Sequence, residues 1–143
     1  RLNLITPLYR LDNLPLIYDN ITNLVSDFNW FLIEGSNKIG NFDIKELLID
    51  KRIYHFKIET IYSWGHEQRN FFIENIKVND DDWCYFLDDD NFITKDLVNE
   101  LDDVHDFILF SQKAGNSNNI RLWCGPDRLG LGLTPNSLGV MAF

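Results

Sequence analysis

Short apolar runs alternate along the chain with segments of helical periodicity, and this alternation restricts the fold more than any other feature. Four runs have the length of buried strands, and they cover residues 2–6, 30–34, 83–87 and 107–110. We expect Pro7 to stop the first run, because proline lacks the N–H that a sheet requires, and residues 35–37 (GSN) to form a turn after the second. Strands that alternate with helices pair in parallel through right-handed crossovers. The sequence therefore predicts an α/β fold with a mostly parallel central sheet.

Helical segments are predicted between these runs. Apolar residues recur at helical spacing after Pro15, and residues 65–76 form a second helical segment. Thr94 is a suitable N-cap for a third helix. The buried stripe of that helix comprises Leu97, Leu101 and Val104. Residues 44–49 predict one or two helical turns, and residues 52–58 predict a further strand.

Length and charge limit the possible functions. The chain has 143 residues, of which 45% are hydrophobic, and this suffices for one folded domain. No apolar run approaches the roughly 18 residues of a membrane span, so we expect a soluble protein without such a span. The sequence shows no targeting segment, which favours the cytoplasm, with a trimmed luminal domain as the alternative. A net charge of −9, from 13 basic and 22 acidic residues, argues against a nucleic-acid partner.

Two cysteines, Cys84 and Cys124, are too few and too far apart for a zinc site. Free, partly buried thiols are the favoured interpretation, and a disulfide between them remains the alternative. Glycine-rich phosphate loops of the GxGxxG or GxxxxGK type are absent from the sequence, which argues against dinucleotide or ATP binding.

Two acidic clusters of identical composition differ in their position along the predicted sheet. Residues 80–82 precede a strand, where we expect a solvated turn, whereas Asp88, Asp89 and Asp90 follow that strand. Ligands of open α/β sheets bind outside the carboxyl ends of the strands. Adjacent like charges repel strongly, and Mg²⁺ or Mn²⁺ bound by carboxylates and substrate phosphates would relieve this repulsion. The alternative is that these aspartates cap the next helix and form an Asx turn with Asn91.

Four segments together resemble one known family. The segment YFLDDDN (residues 85–91) is similar to the DxD region of metal-dependent, nucleotide-sugar glycosyltransferases of the GT-A fold, and above all to the animal beta-1,3-glucuronyltransferases. ITPLYR (residues 5–10) resembles the first-strand segment of that family, NWFLIE (29–34) its second strand, and GHEQRN (65–70) the stretch before its DxD strand. The resemblance implies a GT-A, Rossmann-like three-layer fold. It also implies a UDP-sugar donor, an acceptor hydroxyl and a Mn²⁺ or Mg²⁺ cofactor.

The resemblance also implies roles for individual residues. Asp90 would ligate the metal ion, with Asp88 as a second candidate ligand, and Asp88 and Asp89 would face the ribose and sugar. The remaining nucleotide-sugar-binding residues that it implies are Pro7, Tyr9, Arg10, Glu34, Arg69 and Asn70. A surface ion pair is the alternative interpretation of Arg69, and simple core packing that of Tyr9.

The chain also departs from the family pattern. Gly35 stands where the family has a second acidic residue, and Trp64 stands where it has arginine, so the base and the sugar of the donor stay open. We treat residues 1–143 as one domain, with a donor-binding part over 1–110. The glycine-rich residues 111–143 are expected to form a lid, a sheet edge or a truncated acceptor side. No counterpart of the family's general base is identified. A non-catalytic nucleotide-sugar or cation-binding module is therefore the alternative function.

Overall fold

The computed structural model describes residues 1–61 and 64–101, and the backbone of four two-residue strands further along the chain. Its helices are α1 (Leu14–Leu24), α2 (His66–Asn75) and α3 (Lys95–Asn99). Its strands are β1 (Leu2–Arg10), β2 (Phe28–Ile39), β3 (Ile53–Lys57), β4 (Trp83–Phe86), β5 (Ile108–Leu109), β6 (Gln112–Lys113), β7 (Ile120–Arg121) and β8 (Met141–Ala142). Among the described residues, no helix has the length and apolar character that crossing a membrane demands.

The central sheet has the strand order β3-β2-β1-β4-β8-β5. Strands β1 to β4 are mutually parallel, and β8 pairs antiparallel with both β4 and β5. Strands β6 and β7 form a separate antiparallel pair. The prediction of an α/β fold with a mostly parallel sheet is confirmed, and the four parallel strands are consistent with a Rossmann-like arrangement.

Two apolar layers cover the faces of the sheet. On one face, Ile17 and Ile21 of α1 pack with Leu4 and Trp30 of the sheet, and Leu97 of α3 joins the same cluster. On the other face, Phe72 of α2 packs with a smaller cluster. That cluster contains Ile5, Phe31, Ile33, Cys84 and Phe86. The chain therefore moves from β1 to β3 over one face and returns to β4 over the other, as right-handed crossovers require.

The first strand is longer than predicted, because Pro7 does not stop it. The Leu87 N–H donates to the Ile5 carbonyl at 2.9 Å, so the odd-numbered residues of β1 direct their backbone groups toward β4. The last pair between β1 and β4 is Ile5 with Phe86, so no residue of β4 pairs with Pro7. The missing N–H of Pro7 therefore costs no hydrogen bond between these two strands. Proline is tolerated at such an edge position. The strand continues on its β2 side and ends at Arg10.

Residues 35–37, where a turn is predicted, lie within β2, which runs to Ile39. They coincide with an irregularity in register, because β1 advances by two residues from Leu8 to Arg10 while β2 advances by five from Glu34 to Ile39. The polar segment therefore bulges out of the ladder before pairing resumes. The predicted helical turn at 44–49 is present as a 3-10 turn over Ile44–Glu46, and the predicted strand at 52–58 is β3.

The later elements agree with the predictions in type but not always in length. Helix α2 lies within the predicted 65–76, with Gly65 as its N-cap. The Thr94 hydroxyl caps α3 by accepting from the Leu97 N–H at 3.3 Å, as predicted, but that helix ends at Asn99. Val104 of the predicted stripe lies outside the described residues. Strand β5 lies within the predicted run at 107–110.

Cys84 is a buried free thiol, as expected, and Cys124 lies outside the described residues. Burial raises the pKa of the Cys84 thiol to about 11.

In the acidic cluster at 80–82, Asp80 and Asp81 are exposed, whereas Asp82 is half-buried. The Asp82 carboxylate accepts from the Asn3 side-chain amide at 3.3 Å, so only part of this cluster is a freely solvated turn.

Candidate functional site

The carboxyl ends of β1 and β4 meet where the strand order of the sheet reverses. From β1 the chain passes to β2 and β3 on one side, and it then returns to β4 on the other side of β1. In open α/β sheets, this topological switch point is where ligands bind. Arg10 ends β1 here, and Asp88, Asp89 and Asp90, which we call the acidic triplet, directly follow Leu87 beyond β4. The triplet therefore lies at the position that the sequence predicts.

Asp89 is the most buried member of the triplet, with 2% of its surface exposed. Its Oδ2 accepts from the backbone N–H groups of Tyr9 and Arg10 at 2.6 and 2.7 Å, and its Oδ1 accepts from Arg10 Nη1 at 2.7 Å. The Asp89 carbonyl also accepts from the Asn13 side-chain amide at 2.8 Å. Asp89 thus joins the ends of β1 and β4, and both of its carboxylate oxygens are engaged within the protein.

Asp90 is the most exposed member of the triplet, with 52% of its side chain accessible. Its Oδ2 lies 3.2 Å from Arg10 Nη1, the same nitrogen that contacts Asp89 at 2.7 Å. Asp90 therefore shares a guanidinium that is held more closely by its neighbour. Its carboxylate faces solvent and is available to a ligand.

Asp88 forms an ion pair with Arg69 of α2 through Arg69 Nη2. A second nitrogen of this guanidinium, Nη1, donates to the Trp64 carbonyl at 3.0 Å, and the buried Nε has no hydrogen-bond partner among the described residues. Burial raises the pKa of the Asp88 carboxyl above its usual range, although the Arg69 charge opposes this shift. The exposed Asn70 follows Arg69 on α2.

Two guanidinium groups therefore compensate three carboxylates at the switch point. Like charges at about 4 Å repel by roughly 4 kcal/mol per pair at an effective dielectric constant near 20. Arg10 and Arg69 remove most of this cost, because each contacts at least one carboxylate of the triplet directly. One negative charge is left over. The protein thus tolerates the triplet through its own arginines.

The residues of the triplet fit a divalent cation of the kind that the resemblance implies, on one condition. Within residues 1–61 and 64–101, no group of three or more His, Cys, Asp or Glu side chains converges to form a complete cage. Mg²⁺ and Mn²⁺ sites commonly use only one or two carboxylates and complete their coordination with waters and substrate phosphates. Asp88 and Asp90, whose side chains are 37% and 52% accessible, supply that number. The fit therefore requires a phosphate-bearing ligand.

Tyr9 is held beside the switch point by α2. Its hydroxyl donates to Gln68 Oε1 at 3.2 Å and accepts from the Gly65 N–H at 3.2 Å. Pro7 borders the same place, because a Cβ on Gly65 would lie 2.9 Å from Pro7 Cβ and 2.8 Å from Arg69 Nη1. Gly65 adopts a φ of 77°, which favours glycine. The start of α2 can therefore approach β1 closely enough to place Tyr9 and Arg69 at one edge.

Glu34, on β2, occupies a separate part of the edge. It is 5% exposed, and its carboxylate accepts hydrogen bonds from Lys38 Nζ and, at 2.8 Å, from His55 Nε2. Burial alone would raise the pKa of Glu34, but the hydrogen bonds from Lys38 and His55 outweigh it, so the pKa lies below its usual value. In the described part of the chain, no ion pair connects Glu34 with the acidic triplet.

Gln68 is a buried residue of this region to which the sequence assigned no role. It is fully buried, its Oε1 accepts from the Tyr9 hydroxyl, and its Nε2 finds no hydrogen-bond partner in the part of the chain that the structure describes. A Cβ on Gly35 would lie 2.7 Å from that Nε2, so the absence of a side chain at Gly35 leaves room for Gln68. Gln68 and Phe72 share the buried face of α2 at i, i+4 spacing, and this spacing was the signal available in the sequence.

The chain matches no protein-family model, and a search of curated proteins finds none that matches its sequence. The similarity of the four segments to glycosyltransferases therefore stays a prediction from the sequence.

Proposed function

We propose that this protein binds a nucleoside-diphosphate sugar with the help of a divalent cation, and that it transfers the sugar from a UDP-sugar to an acceptor hydroxyl. One observation carries the proposal. At the topological switch point, the partly accessible carboxylates of Asp88 and Asp90 each lie within contact distance of a guanidinium group, that of Arg69 and that of Arg10 respectively. A diphosphate with its cation requires both kinds of group in one place.

Asp90 and Asp88 would hold the cation, because they are the members of the triplet with accessible side chains. Asp89 would hold the end of β1 in place rather than contact the sugar, because its oxygens are already engaged by Tyr9 and Arg10. When bound, Mn²⁺ or Mg²⁺ would supply Lewis-acid stabilisation of the negative charge that develops on the departing nucleoside diphosphate.

Arg10 and Arg69 would orient the diphosphate, since a guanidinium can present two parallel donors to phosphate oxygens. Tyr9 would offer an aromatic face to the nucleobase, and its hydroxyl is fixed by Gln68 and Gly65. We propose the uridine nucleotide and the GT-A form of the fold from the resemblance of segments 5–10, 29–34, 65–70 and 85–91, together with this arrangement.

A nucleotide-sugar-binding module without catalysis is the second candidate. It is favoured by the engagement of the buried carboxylates Asp89 and Glu34 in ion pairs with Arg10 and Lys38, which makes both unsuitable as a general base toward an acceptor hydroxyl. Turnover separates the two candidates. Release of UDP from UDP-glucose, UDP-galactose or UDP-glucuronate in the presence of a sugar acceptor supports the transferase. Binding of the same donors without any release supports the module.

Calorimetric titration with UDP, with and without Mn²⁺, tests the shared part of both candidates. We expect the parent protein to bind UDP only with Mn²⁺. In Asp90→Ala, adding Mn²⁺ should no longer change the binding of UDP. The matched control is Asp81→Ala, which removes an exposed aspartate of the cluster at the opposite end of β4 and should bind as the parent does. Equal, metal-dependent binding by Asp90→Ala would remove Asp90 from the site.

A further inference from the structure

The carboxylates and the guanidinium groups at the switch point are already each other's partners. Arg69 pairs with Asp88, and Arg10 Nη1 contacts both Asp89 and Asp90, at 2.7 and 3.2 Å. Each of the two accessible carboxylates thus has a guanidinium at one of its oxygens, Oδ1 of Asp88 and Oδ2 of Asp90. A cation that uses these oxygens competes with an arginine, and a diphosphate that uses these guanidinium groups competes with an aspartate.

The consequences for a single ligand follow from the charges. A cation that binds Asp88 alone competes with the Arg69 guanidinium for Oδ1 and lies beside this positive group. A diphosphate that binds Arg69 alone leaves the Asp88 carboxylate unpaired and beside the phosphate charges. Removing one partner of this partly buried ion pair leaves the other charge uncompensated, and the cost of that grows with burial.

When both ligands bind together, all the charges can exchange partners. The cation takes the carboxylates, the diphosphate takes the guanidinium groups, and the two ligands contact each other. We infer that Arg69 and Arg10 are internal counter-ions of the site, which exchange aspartate for diphosphate when the cation binds, so that cation and nucleotide bind with positive coupling. This inference rests on the proposed function and adds to it that each ligand, cation or nucleotide, should bind more weakly alone than in the presence of the other.

The two arginines should contribute unequally. Arg69 is 19% accessible and is held by the Trp64 carbonyl, and it is the arginine that pairs with Asp88. Arg10 is 49% accessible and has its closer contact with Asp89, so its release from Asp90 across 3.2 Å leaves its main ion pair intact. The Arg69 pair with Asp88 is therefore the main barrier to binding of the cation alone.

The test is the affinity of the protein for Mn²⁺ without nucleotide, measured at pH 8 from the electron paramagnetic resonance signal of free Mn²⁺. In the parent protein we expect weak binding of MnCl2 alone. In Arg69→Met we expect affinity for MnCl2 alone to rise by about fivefold or more, because Asp88 has lost its competing partner. Arg69→Lys, which keeps the positive charge, should stay close to the parent.

The same variants are then titrated with UDP in saturating MnCl2. We expect Arg69→Met to bind UDP at least about fivefold more weakly than the parent. Tighter binding of Mn²⁺ alone and weaker binding of UDP with Mn²⁺ both reduce the factor by which one ligand raises the affinity for the other. The matched control is Arg52→Met, which removes an arginine that pairs with Asp50 at 2.7 Å at the start of β3, away from the switch point. This control should change neither affinity. If Arg69→Met does not fold, as judged by circular dichroism, Arg10→Met provides the corresponding test at Asp90.

The outcomes separate this inference from the proposed function. If the parent binds UDP only with Mn²⁺ but Arg69→Met binds MnCl2 no better than the parent, partner exchange is wrong and the proposed function stands. If the parent binds neither UDP nor the UDP–Mn²⁺ complex, the proposed function fails, and the exchange mechanism fails with it.

Discussion

Replacing Asp89 with asparagine tests whether this side chain fastens β1 to β4, as its contacts indicate. The oxygen of the amide can keep the two backbone N–H groups of Tyr9 and Arg10, but its NH2 group then faces the Arg10 guanidinium. The half-exposed ion pair with Arg10 contributes up to about 1 kcal/mol. Each backbone hydrogen bond loses roughly 1 kcal/mol when its acceptor becomes neutral. We therefore expect Asp89→Asn to lower the free energy of unfolding by about 3 kcal/mol.

Urea denaturation followed by circular dichroism measures this loss as a lower midpoint with an unchanged slope. The matched control is Arg10→Met, which removes only the guanidinium and should cost about 1 kcal/mol or less. If Asp89→Asn is as stable as the parent to within about 0.5 kcal/mol, which is the range of ordinary surface substitutions, Asp89 does not fasten the two strands. If Arg10→Met costs as much as Asp89→Asn, the backbone contacts of Asp89 contribute nothing to stability.

Three further predictions concern other parts of the structure. Gly65→Ala should lower the free energy of unfolding by about 1 kcal/mol or more in urea denaturation, because φ is 77° and the new Cβ would lie 2.8 Å from Arg69 Nη1; equal stability would contradict this. Hydrogen bonds from Arg52 lower the pKa of Asp50, so the contribution of Asp50 to stability is present above about pH 4 and is lost as the pH falls further. Thermal melts of Asp50→Asn should therefore show less loss of stability between about pH 4 and pH 2 than melts of the parent. In a Cys124→Ser variant, native Cys84 should react with a thiol reagent at pH 8 at least about tenfold more slowly than in urea, because it is buried with a pKa of about 11, and equal rates would contradict its burial.

Hydrophobic patterning predicted the type of each central element, and the boundaries failed where a neighbouring strand decides them. Pro7 can lie within β1 because β4 no longer pairs with β1 at that point, and β2 extends past residues 35–37 because Arg10 pairs with Ile39 beyond an irregularity in register. Both facts depend on register between distant segments. Local propensity contains no information about such register, so it ended both strands too early.

The candidate site could be located from the sequence, but its internal contacts could not. The position of the acidic triplet after an apolar strand was enough to place it at the carboxyl edge of the sheet. Its three members are identical in chemistry, and they differ only in which way each side chain points from the backbone. Asp89 is directed toward the end of β1, whereas Asp90 faces solvent. This difference, and the choice of Arg10 and Arg69 as partners, follow from the packing of β1 and α2 beside β4.

The buried amide of Gln68 illustrates the same limit at a single side chain. Its burial follows from helical spacing with Phe72, but its contact with the Tyr9 hydroxyl depends on how closely α2 approaches β1. That approach depends in turn on Gly65, which adopts a left-handed conformation. The sequence predicted only that a helix begins at this residue. Contacts of this kind require the three-dimensional arrangement.

The most direct test of the proposed metal-dependent nucleotide site is the anomalous difference map of a crystal soaked with MnCl2 and UDP. The proposal predicts a peak at about 2.0–2.2 Å from a carboxylate oxygen of Asp90, with an oxygen of the UDP diphosphate in the same coordination sphere. A peak elsewhere, or UDP bound with the Asp90 carboxylate pointing into bulk water, would contradict it.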